Sequence, residues 1–317
     1  MLLRYLFVFT FIFLMIQCIH TSWQATHHVN HPLVGKILDK NSGELIEFSE
    51  FNNNIMNSRP DLILLGEVHD HPDHHILHLK ILKSLDQRNL LGSLFLEHFD
   101  LGQNKTLNNI FNGPDPFIDL EKKLNWSQGW DDFRFYEPML KTAWKAKQKI
   151  KGVNISRKHL KMLVNGKKVE VLSEEEIQRI NKIPSISKIL EDSLAEEIVR
   201  SHCDMFPKKH AAPIVNAQIL RDKIMSHLLF GSLAPKKISV FIGGNGHMRK
   251  DRGVPYYLAP LDPSLRLLSV GFIQVNQEKT DLDSYADLPY DLIFFTPVFD
   301  VSDLCKKFRK SLEEMKK

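Results

Sequence analysis

The chain has 317 residues, of which 42 are lysine or arginine and 38 are aspartate or glutamate, so its formal net charge is +4. Apolar residues make up 43% of the chain and charged residues 25%, which excludes a disordered chain, a collagen-like chain and a disulfide-dense miniprotein. The charge is weak and no basic run alternates with aromatic residues, so the sequence predicts no binding to nucleic acid.

The N-terminal segment differs in composition from the rest of the chain. Arg4 precedes an apolar run over residues 5–16, which is short for a membrane span and typical of the apolar core of a secretory signal. Cys18 follows at the position where a bacterial lipoprotein carries its lipid, although Gln17 stands where a small residue is usual. A lipoprotein signal, a cleaved signal over residues 1–22 and an uncleaved anchor remain open. All three predict export, and the lipid or the anchor predicts association with a membrane.

The segment that follows predicts the entry into a folded domain. Residues 23–31 are polar and contain several histidines, which predicts a tether. Residues 35–51 carry Asn-Ser-Gly between two alternating stretches, a pattern typical of a β-hairpin. We therefore expect a single domain over residues 30–317.

Apolar runs then alternate with amphipathic segments along the chain. Pro72 stands where the first of these amphipathic segments would begin as a helix. The alternation predicts an α/β fold with a doubly wound, mostly parallel sheet, in which ligands bind beyond the carboxyl ends of the strands. The predicted strands cover residues 61–66, 93–97, 149–155, 238–244, 266–275 and 291–295, and the predicted helices cover residues 71–88, 131–148, 186–203 and 212–230.

Residues 156–211 interrupt this alternation. They are polar, helical in pattern and punctuated by Asn-Gly and by prolines, which predicts a small helical insertion that caps the sheet. Cys203 lies in this stretch and Cys305 lies near the C-terminus. Export would permit a disulfide between them, but the sequence does not show that they meet, and two separate thiols are an equal alternative.

Ionisable residues collect where three predicted strands end. Glu67 and His69 follow the first strand, Glu97 ends the second, and a glycine-rich turn after the fourth ends in His247. Because burying an unpaired charge is costly, these residues are expected to have a role beyond packing. Two histidines with two carboxylates suit a divalent metal or a general acid–base pair. Ligand contact without catalysis and a network that only braces the loops remain open.

Several other polar residues are candidates for the same region. His74 and His78, like His71 and His75, are spaced to share a helix face and either contact a metal or haem or have no ligand. The predicted helix over residues 212–230 carries a stripe of four residues on one face, which either braces the site or faces solvent. That stripe consists of Gln218, Arg221, Asp222 and Met225, and the phenols near candidate loops are Tyr136, Tyr256 and Tyr257.

Six segments occur in the order found in a known family. They read LLGEVHDHPDHH, FLEHFDLGQN, GWDDFRFYEPML, VNISR, AQILRDKIM and FIGGNGHMRKDRGVPYYL. Together, over about residues 33–276, they resemble the ChaN-like haem-binding uptake proteins of the erythromycin-esterase/ChaN/Tiki assemblage. The element GNGH followed by GVP is the most specific part of this resemblance.

The resemblance implies a bacterial, iron-regulated, exported lipoprotein of the periplasm that binds haem. It implies a homodimer in which two haems stack face to face, each with iron bound by a tyrosine of one subunit and propionates contacted by a histidine of the other. A phenolate ligand suits ferric haem. Tyr136 is the first candidate for this ligand, with Tyr256 and Tyr257 as alternatives. The implied pocket histidines are His69 and His247, joined by His71, His74 and His75, and the candidate partners of the propionates are Arg134, Arg249, Lys250 and Arg252.

The same assemblage also contains hydrolases, which gives an alternative function. Its Tiki-like and TraB-like members are described as metal-dependent proteases, and its erythromycin esterases use a histidine base. Glu67, His69, Glu97 and His247 are similar to such a site. In that reading the histidines hold a divalent metal, and a glutamate is either a ligand or the base that activates a bound water.

Overall fold

The computed structural model describes residues 23–126, 130, 132–303, 305, 306 and 309. The predicted signal segment with Cys18 lies outside these residues. The described strands are β1 Ile37–Asp39, β2 Leu45–Ile46, β3 Leu62–Glu67, β4 Leu91–Asp100, β5 Ile150–Asn154, β6 Ile238–Gly244, β7 Leu267–Gln274 and β8 Leu292–Thr296. The described α-helices are α1 Phe48–Ser58, α2 Pro72–Gln87, α3 Asn104–Phe111, α4 Leu120–Leu124, α5 Glu137–Lys145, α6 Arg157–Val164, α7 Glu174–Lys182, α8 Lys188–Ser201, α9 Ala212–Phe230 and α10 Val254–Leu258.

The strands form one eight-stranded sheet in the order β2-β1-β8-β7-β3-β6-β4-β5. Strands β3 to β8 pair in parallel, and β1 pairs antiparallel with β2 and β8. The prediction of a doubly wound, mostly parallel α/β sheet is therefore confirmed. Strand β3 lies at the centre, between β7 and β6, so its carboxyl end opens where the order of the strands reverses.

Apolar side chains cover both faces of this sheet. Ile63 and Leu65 of β3 belong to the core on one face, with the apolar stripe of α2. Leu62 and Leu64 belong to the core on the other face, with Met225 and Leu229 of α9. A central parallel strand is buried on both sides, which is why it reads as an unbroken apolar run in the sequence.

Two predictions near the N-terminus need correction. The hairpin is present as β1 and β2, but its second arm ends at Ile46 because Phe51 and Ile55, spaced i,i+4, turn the next residues into α1 and bury its apolar face. The predicted tether over residues 23–31 is wrong. The amides of Gln24 and Ala25 donate to the Asp73 carboxylate at 2.8 and 2.9 Å, which fixes this segment on α2.

The predicted helix over residues 131–148 begins later than expected. A 3₁₀ turn, Phe133–Phe135, comes first, and α5 starts at Glu137 with Pro138 in its first turn. Proline is tolerated only there in a helix, because the first amides of a helix have no partner within it. The turn and the helix together bring Tyr136 over the end of the sheet.

Helices α6, α7 and α8 occupy the stretch that interrupts the strand–helix alternation. Leu160 of α6 and Ile180 of α7 pack with Ile224 of α9. Leu194 of α8 packs with Ile219, which also belongs to α9. Helix α9 therefore lies between the sheet and these three helices. None of the helices in the described part of the chain is long and apolar enough to cross a membrane.

A disulfide joins Cys203 to Cys305, and their Cα atoms are 5.4 Å apart. Of the two alternatives that the sequence left open, the structure selects the bonded pair. The bond spans 102 residues and fixes the C-terminal segment to the turn after α8.

We expect reduction of this disulfide to lower the free energy of unfolding by about 2–4 kcal/mol, because opening a long loop increases the freedom of the unfolded chain. Urea denaturation of the oxidised protein, the reduced protein and the double variant Cys203→Ser/Cys305→Ser measures this change. The reduced protein and the double variant should agree. Full alkylation of both thiols in unreduced, denatured protein would contradict the bond.

Candidate functional site

Strands β3, β6 and β4 are neighbours in the sheet, so their carboxyl ends lie side by side. Glu67 is the last residue of β3 and is in register with Gly244, the last residue of β6. Glu97 and His98 lie near the end of β4. The ionisable residues that the sequence places at three strand ends therefore meet at one edge of the sheet.

Glu67 is the most heavily contacted of these residues, and its side chain is fully buried. Its Oε1 atom accepts hydrogen bonds from the Tyr136 hydroxyl at 2.7 Å and from His69 Nδ1 at 2.8 Å, and it lies 3.1 Å from His98 Nε2. Burial alone would raise the pKa of Glu67, but the imidazoles of His75, His69 and His98 hold it well below its usual range. Glu67 is therefore a buried carboxylate.

The second pair at this edge consists of His247 and Glu97. His247 Nε2 lies 3.1 Å from Glu97 Oε1, and its Nδ1 contacts the Asp222 carboxylate of α9. Burial alone would lower the pKa of His247, but the carboxylates of Glu97 and Asp222 raise it to about 10. His247 is thus an imidazolium whose two N–H groups both point at carboxylates, and in this state it has no lone pair for a metal.

Glycines let the two pairs approach each other. A Cβ atom on Gly243 would lie 2.7 Å from Glu97 Oε2, so only glycine leaves room for that carboxylate. Gly244 donates its amide to the same oxygen at 2.8 Å. A Cβ there would lie 3.2 Å from His69 Nε2 and 3.7 Å from Glu97 Oε2. The four residues predicted as one metal set therefore form two pairs, Glu67–His69 and Glu97–His247, on either side of Gly244.

Asn245 fixes the glycine-rich turn against the neighbouring strand. Its amide nitrogen donates to the Phe272 carbonyl at 2.7 Å, and its amide oxygen accepts from the Phe272 N–H at 3.0 Å. The side chain thereby forms with β7 the pair of hydrogen bonds that a backbone residue would form. Gly66 makes room for it, because a Cβ atom there would lie 2.1 Å from Asn245 Oδ1.

A pocket of about 370 Å³ opens beside these pairs, at the carboxyl ends of β4 and β5. Trp126 and Trp130 contribute aromatic surface, and Arg157 and Arg221 contribute positive charge. Among the residues that the structure describes, neither arginine has an ion pair with a carboxylate, and Arg221 Nε has no hydrogen-bond partner. The pocket therefore suits an anionic group next to a planar or apolar one.

The sequence predicts no role for Arg157, and it leaves open which way the Gln218, Arg221, Asp222 and Met225 stripe of α9 faces. Arg157 is the first residue of α6, directly after β5, and this position at a strand end was the available signal. The α9 stripe faces the site, because Asp222 contacts His247, Arg221 lines the pocket and Met225 is buried. The stripe therefore braces the site.

The cations predicted for propionates are all paired within the protein. Each forms an ion pair with a nearby acidic residue, which lowers its availability to a ligand. The pairs are Arg134–Asp132, Arg249–Asp251, Lys250–Asp291 and Arg252–Glu197.

The helix histidines point into the protein. His71 Nε2 donates to the Pro297 carbonyl at 3.0 Å, and the ring stacks on His74. His74 binds the Val68 amide and the Thr296 hydroxyl, both at 3.0 Å. These two histidines fasten the start of α2 to the end of β8.

The three predicted tyrosines differ in accessibility. Tyr136 is fully buried and its hydroxyl is bonded to Glu67, and Tyr257 is fully buried with burial raising the pKa of its phenol. Tyr256 is half-buried. It lines a separate, mainly apolar pocket of about 630 Å³ together with Pro184, Lys250, Pro255, Ala259, Pro260, Leu265, Leu267 and Asp291.

Two groups of three potential metal ligands share Glu67. One consists of Glu67, His69 and His98, and the other of Glu67, His75 and His78, with ligand atoms within 4.8 Å of one another. Within the described ranges, neither group includes Glu97 or His247.

Comparison with known proteins shows what this chain is similar to. A family model described as haem-binding uptake, Tiki superfamily, ChaN matches residues 56–258. The solved structure of cofacial heme binding to ChaN of Campylobacter jejuni has a TM-score of 0.63 at 22% identity, covering 81% of this chain and 95% of that one. A mutant of the erythromycin esterase EreC in its open conformation has a TM-score of 0.49 at 10% identity, covering 86% and 99%. No curated protein matches the chain.

The imidazolium of His247 makes stability depend on pH. Its pKa of about 10 in the folded protein exceeds the value of about 6.5 expected when the chain is unfolded. Its contribution is therefore complete below about pH 6.5 and is lost as the pH rises towards 10. We expect Asp222→Asn to lower the pKa of His247 and to cost about 3 kcal/mol of unfolding free energy at pH 6, because a buried ion pair loses one partner.

The measurement is an NMR titration of the His247 ring, with urea denaturation across the same pH range. Asp251→Asn is the matched control, since Asp251 pairs with Arg249 and does not contact His247. A wild-type His247 that titrates near pH 6.5 would refute the imidazolium.

Proposed function

Because the chain belongs to the ChaN family of haem-binding uptake proteins in the Tiki superfamily, we propose that it is an exported protein that binds ferric haem through Tyr256 and takes part in haem uptake. The observation that carries the haem function is the family match, which covers residues 56–258 and thus the whole lining of the pocket beside the strand-end pairs, together with Tyr256.

The accessibility of the tyrosines supports Tyr256 as the iron ligand. A phenolate must reach the iron from the protein surface or from an open pocket, and it suits the ferric state. Among the residues that the structure describes, the other four tyrosines are at most 6% exposed: Tyr136, Tyr257, Tyr285 and Tyr290. Tyr136, the first candidate from the sequence, would have to break its hydrogen bond to the Glu67 carboxylate.

The surroundings of Tyr256 also suit haem. Prolines and leucines give its pocket an apolar wall for the macrocycle, and Lys250 supplies a cation at the rim. The side chain of Lys250 is 50% exposed and that of its partner Asp291 is 12% exposed, so the ammonium lies on the solvent side of the pair, within reach of a propionate. Since the pocket is open on one side, a second copy of the chain would cover the outer face of the haem. We therefore propose a haem-bound homodimer.

Two observations support export to an oxidising compartment. The apolar N-terminal segment predicts a signal, with Cys18 as its candidate lipidation site and the periplasm as the destination. The Cys203–Cys305 bond belongs to the class of structural disulfides that persist outside the reducing cytoplasm.

A hydrolase remains a second candidate because of one specific geometry. His69 donates Nδ1–H to the buried Glu67, and its side chain is 32% exposed beside the pocket that contains Arg157 and Arg221. Burial lowers the pKa of His69, but Glu67 and Glu97 raise it above its usual value. An imidazole oriented by a carboxylate is a competent general base at neutral pH.

We expect the purified protein to bind hemin saturably at about one haem per chain, with a high-spin charge-transfer band that reports a phenolate ligand. Tyr256→Phe should remove that band and weaken hemin binding at least about tenfold, or ~1.4 kcal/mol. Visible absorption during a hemin titration measures both effects.

Tyr257→Phe is the matched control, because it removes a hydroxyl from the adjacent, buried ring and should leave the spectrum unchanged. Light scattering during size-exclusion chromatography should give twice the mass once hemin is bound. Loss of the band in Tyr136→Phe but not in Tyr256→Phe would assign the ligand to Tyr136 and refute our assignment.

The hydrolase is tested with a chromogenic ester such as p-nitrophenyl acetate. If the second candidate is correct, His69→Gln should abolish turnover, because the glutamine side chain cannot accept a proton at neutral pH. His159→Gln is the matched control, since His159 pairs with Glu170 at the surface. Turnover that survives in His69→Gln, or hydrolysis absent from the wild-type protein, would eliminate this candidate.

A further inference from the structure

The side of the Glu67 carboxylate that faces α2 is surrounded by atoms without hydrogen bonds. Glu67 Oε2 lies 3.5 Å from His75 Nδ1 and 3.5 Å from His78 Nδ1. The three side chains are at most 2% exposed, and within the described part of the chain none of these three atoms has a hydrogen-bond partner. Buried polar atoms of a native protein are nearly always satisfied, so three together require an explanation.

The hydrogen bonds on the other side of each ring fix the tautomer of the neutral imidazole. His75 Nε2 lies 2.8 Å from the His69 carbonyl, and His78 Nε2 lies 3.0 Å from the Gly66 carbonyl. A carbonyl oxygen can only accept, so both Nε2 atoms carry the hydrogen. In the neutral imidazole the lone pair is then on Nδ1, and both lone pairs point at the carboxylate.

Lone pairs of three atoms facing one another repel, and a cation between them removes the repulsion. A histidine that ligates a metal typically donates its other N–H to a carbonyl or a carboxylate, as His75 and His78 both do. Tetrahedral zinc sites have ligand bonds of about 2.0–2.2 Å, which places neighbouring ligand atoms roughly 3.4 Å apart. The two oxygen–nitrogen distances of 3.5 Å agree with that spacing.

We propose that Glu67 Oε2, His75 Nδ1 and His78 Nδ1 form a binding site for a divalent transition metal of the zinc type. Two imidazoles and one carboxylate are a donor set that such ions accept. The site is distinct from the predicted set that included Glu97 and His247. It lies under the edge of the sheet and contains a pair of helix residues spaced i,i+3.

A metal here would also organise the surface above it. Glu67 uses its other oxygen to hold Tyr136 and His69. A metal on Oε2 would fix the carboxylate plane and thereby the orientation of the one partly exposed imidazole of this group. The metal therefore has a structural role beneath the strand-end site, and this inference does not depend on haem binding.

The test uses purified, untagged protein that has been dialysed against a chelator. We expect it to bind one equivalent of Co²⁺ with visible ligand-field bands of low-symmetry four- or five-coordinate cobalt, and Zn²⁺ to displace the cobalt. His78→Gln keeps a donor for the Gly66 carbonyl and removes the inward nitrogen. It should weaken Zn²⁺ binding by more than the roughly 10–100-fold that loss of an outer partner costs.

His74→Gln is the matched control on the same helix, because both His74 nitrogens are hydrogen-bonded within the protein and face away from Glu67 Oε2. His98→Gln tests the other group of three ligands that shares Glu67. Zn²⁺ should raise the thermal midpoint of the wild-type protein and of both controls, but not that of His78→Gln.

Three results would overturn the site. The first is a wild-type protein that binds neither Co²⁺ nor Zn²⁺, a result that does not depend on whether any variant folds. The second is a His78→Gln variant that still binds one equivalent of metal tightly. The third is loss of metal in His98→Gln together with retention in His78→Gln, which would move the ion to the opposite oxygen of Glu67.

Discussion

The buried carboxylate of Glu67 is the interaction on which the rest of the strand-end site depends. It lies at the end of the central strand of the sheet, and a hydroxyl and four imidazoles surround it. A charge in this position is tolerated only when donors or cations surround it. Tyr136 and His69 meet this requirement at Oε1, and a cation held by His75 and His78 would meet it at Oε2.

The two carboxylates at this edge are stabilised in different ways. Glu97 has a charged partner, because His247 lies between Glu97 and Asp222 and is therefore protonated. Glu67 is surrounded by several rings, of which His75 and His78 turn bare nitrogens towards it. The charge of Glu97 is therefore already balanced by His247, whereas Glu67 can still accept a cation. This asymmetry is the physical difference between a bracing network and a binding site.

The sequence predicted the sheet and the meeting of the strand ends well, because apolar runs and helical spacing are local signals. It could not predict the pairing of Asp222 with His247, because that contact depends on which face of α9 is turned towards the loop after β6. The burial of Tyr136 was missed for a similar reason, as a 3₁₀ turn before Pro138 rotates the phenol inward. The Cys203–Cys305 bond spans 102 residues and depends on where the C-terminal segment returns.

Asn245 has a consequence for how this fold can change over evolutionary time. An amide side chain offers an N–H donor and a carbonyl acceptor, as a peptide group does, so it satisfies Phe272 of β7 without adding backbone to the sheet. The residues after it are then released from strand register. Substitutions in the strand-end loops can therefore change the side chains of the site while the eight strands stay aligned. The molecule can thus diversify its ligand chemistry at this edge while its framework stays constant.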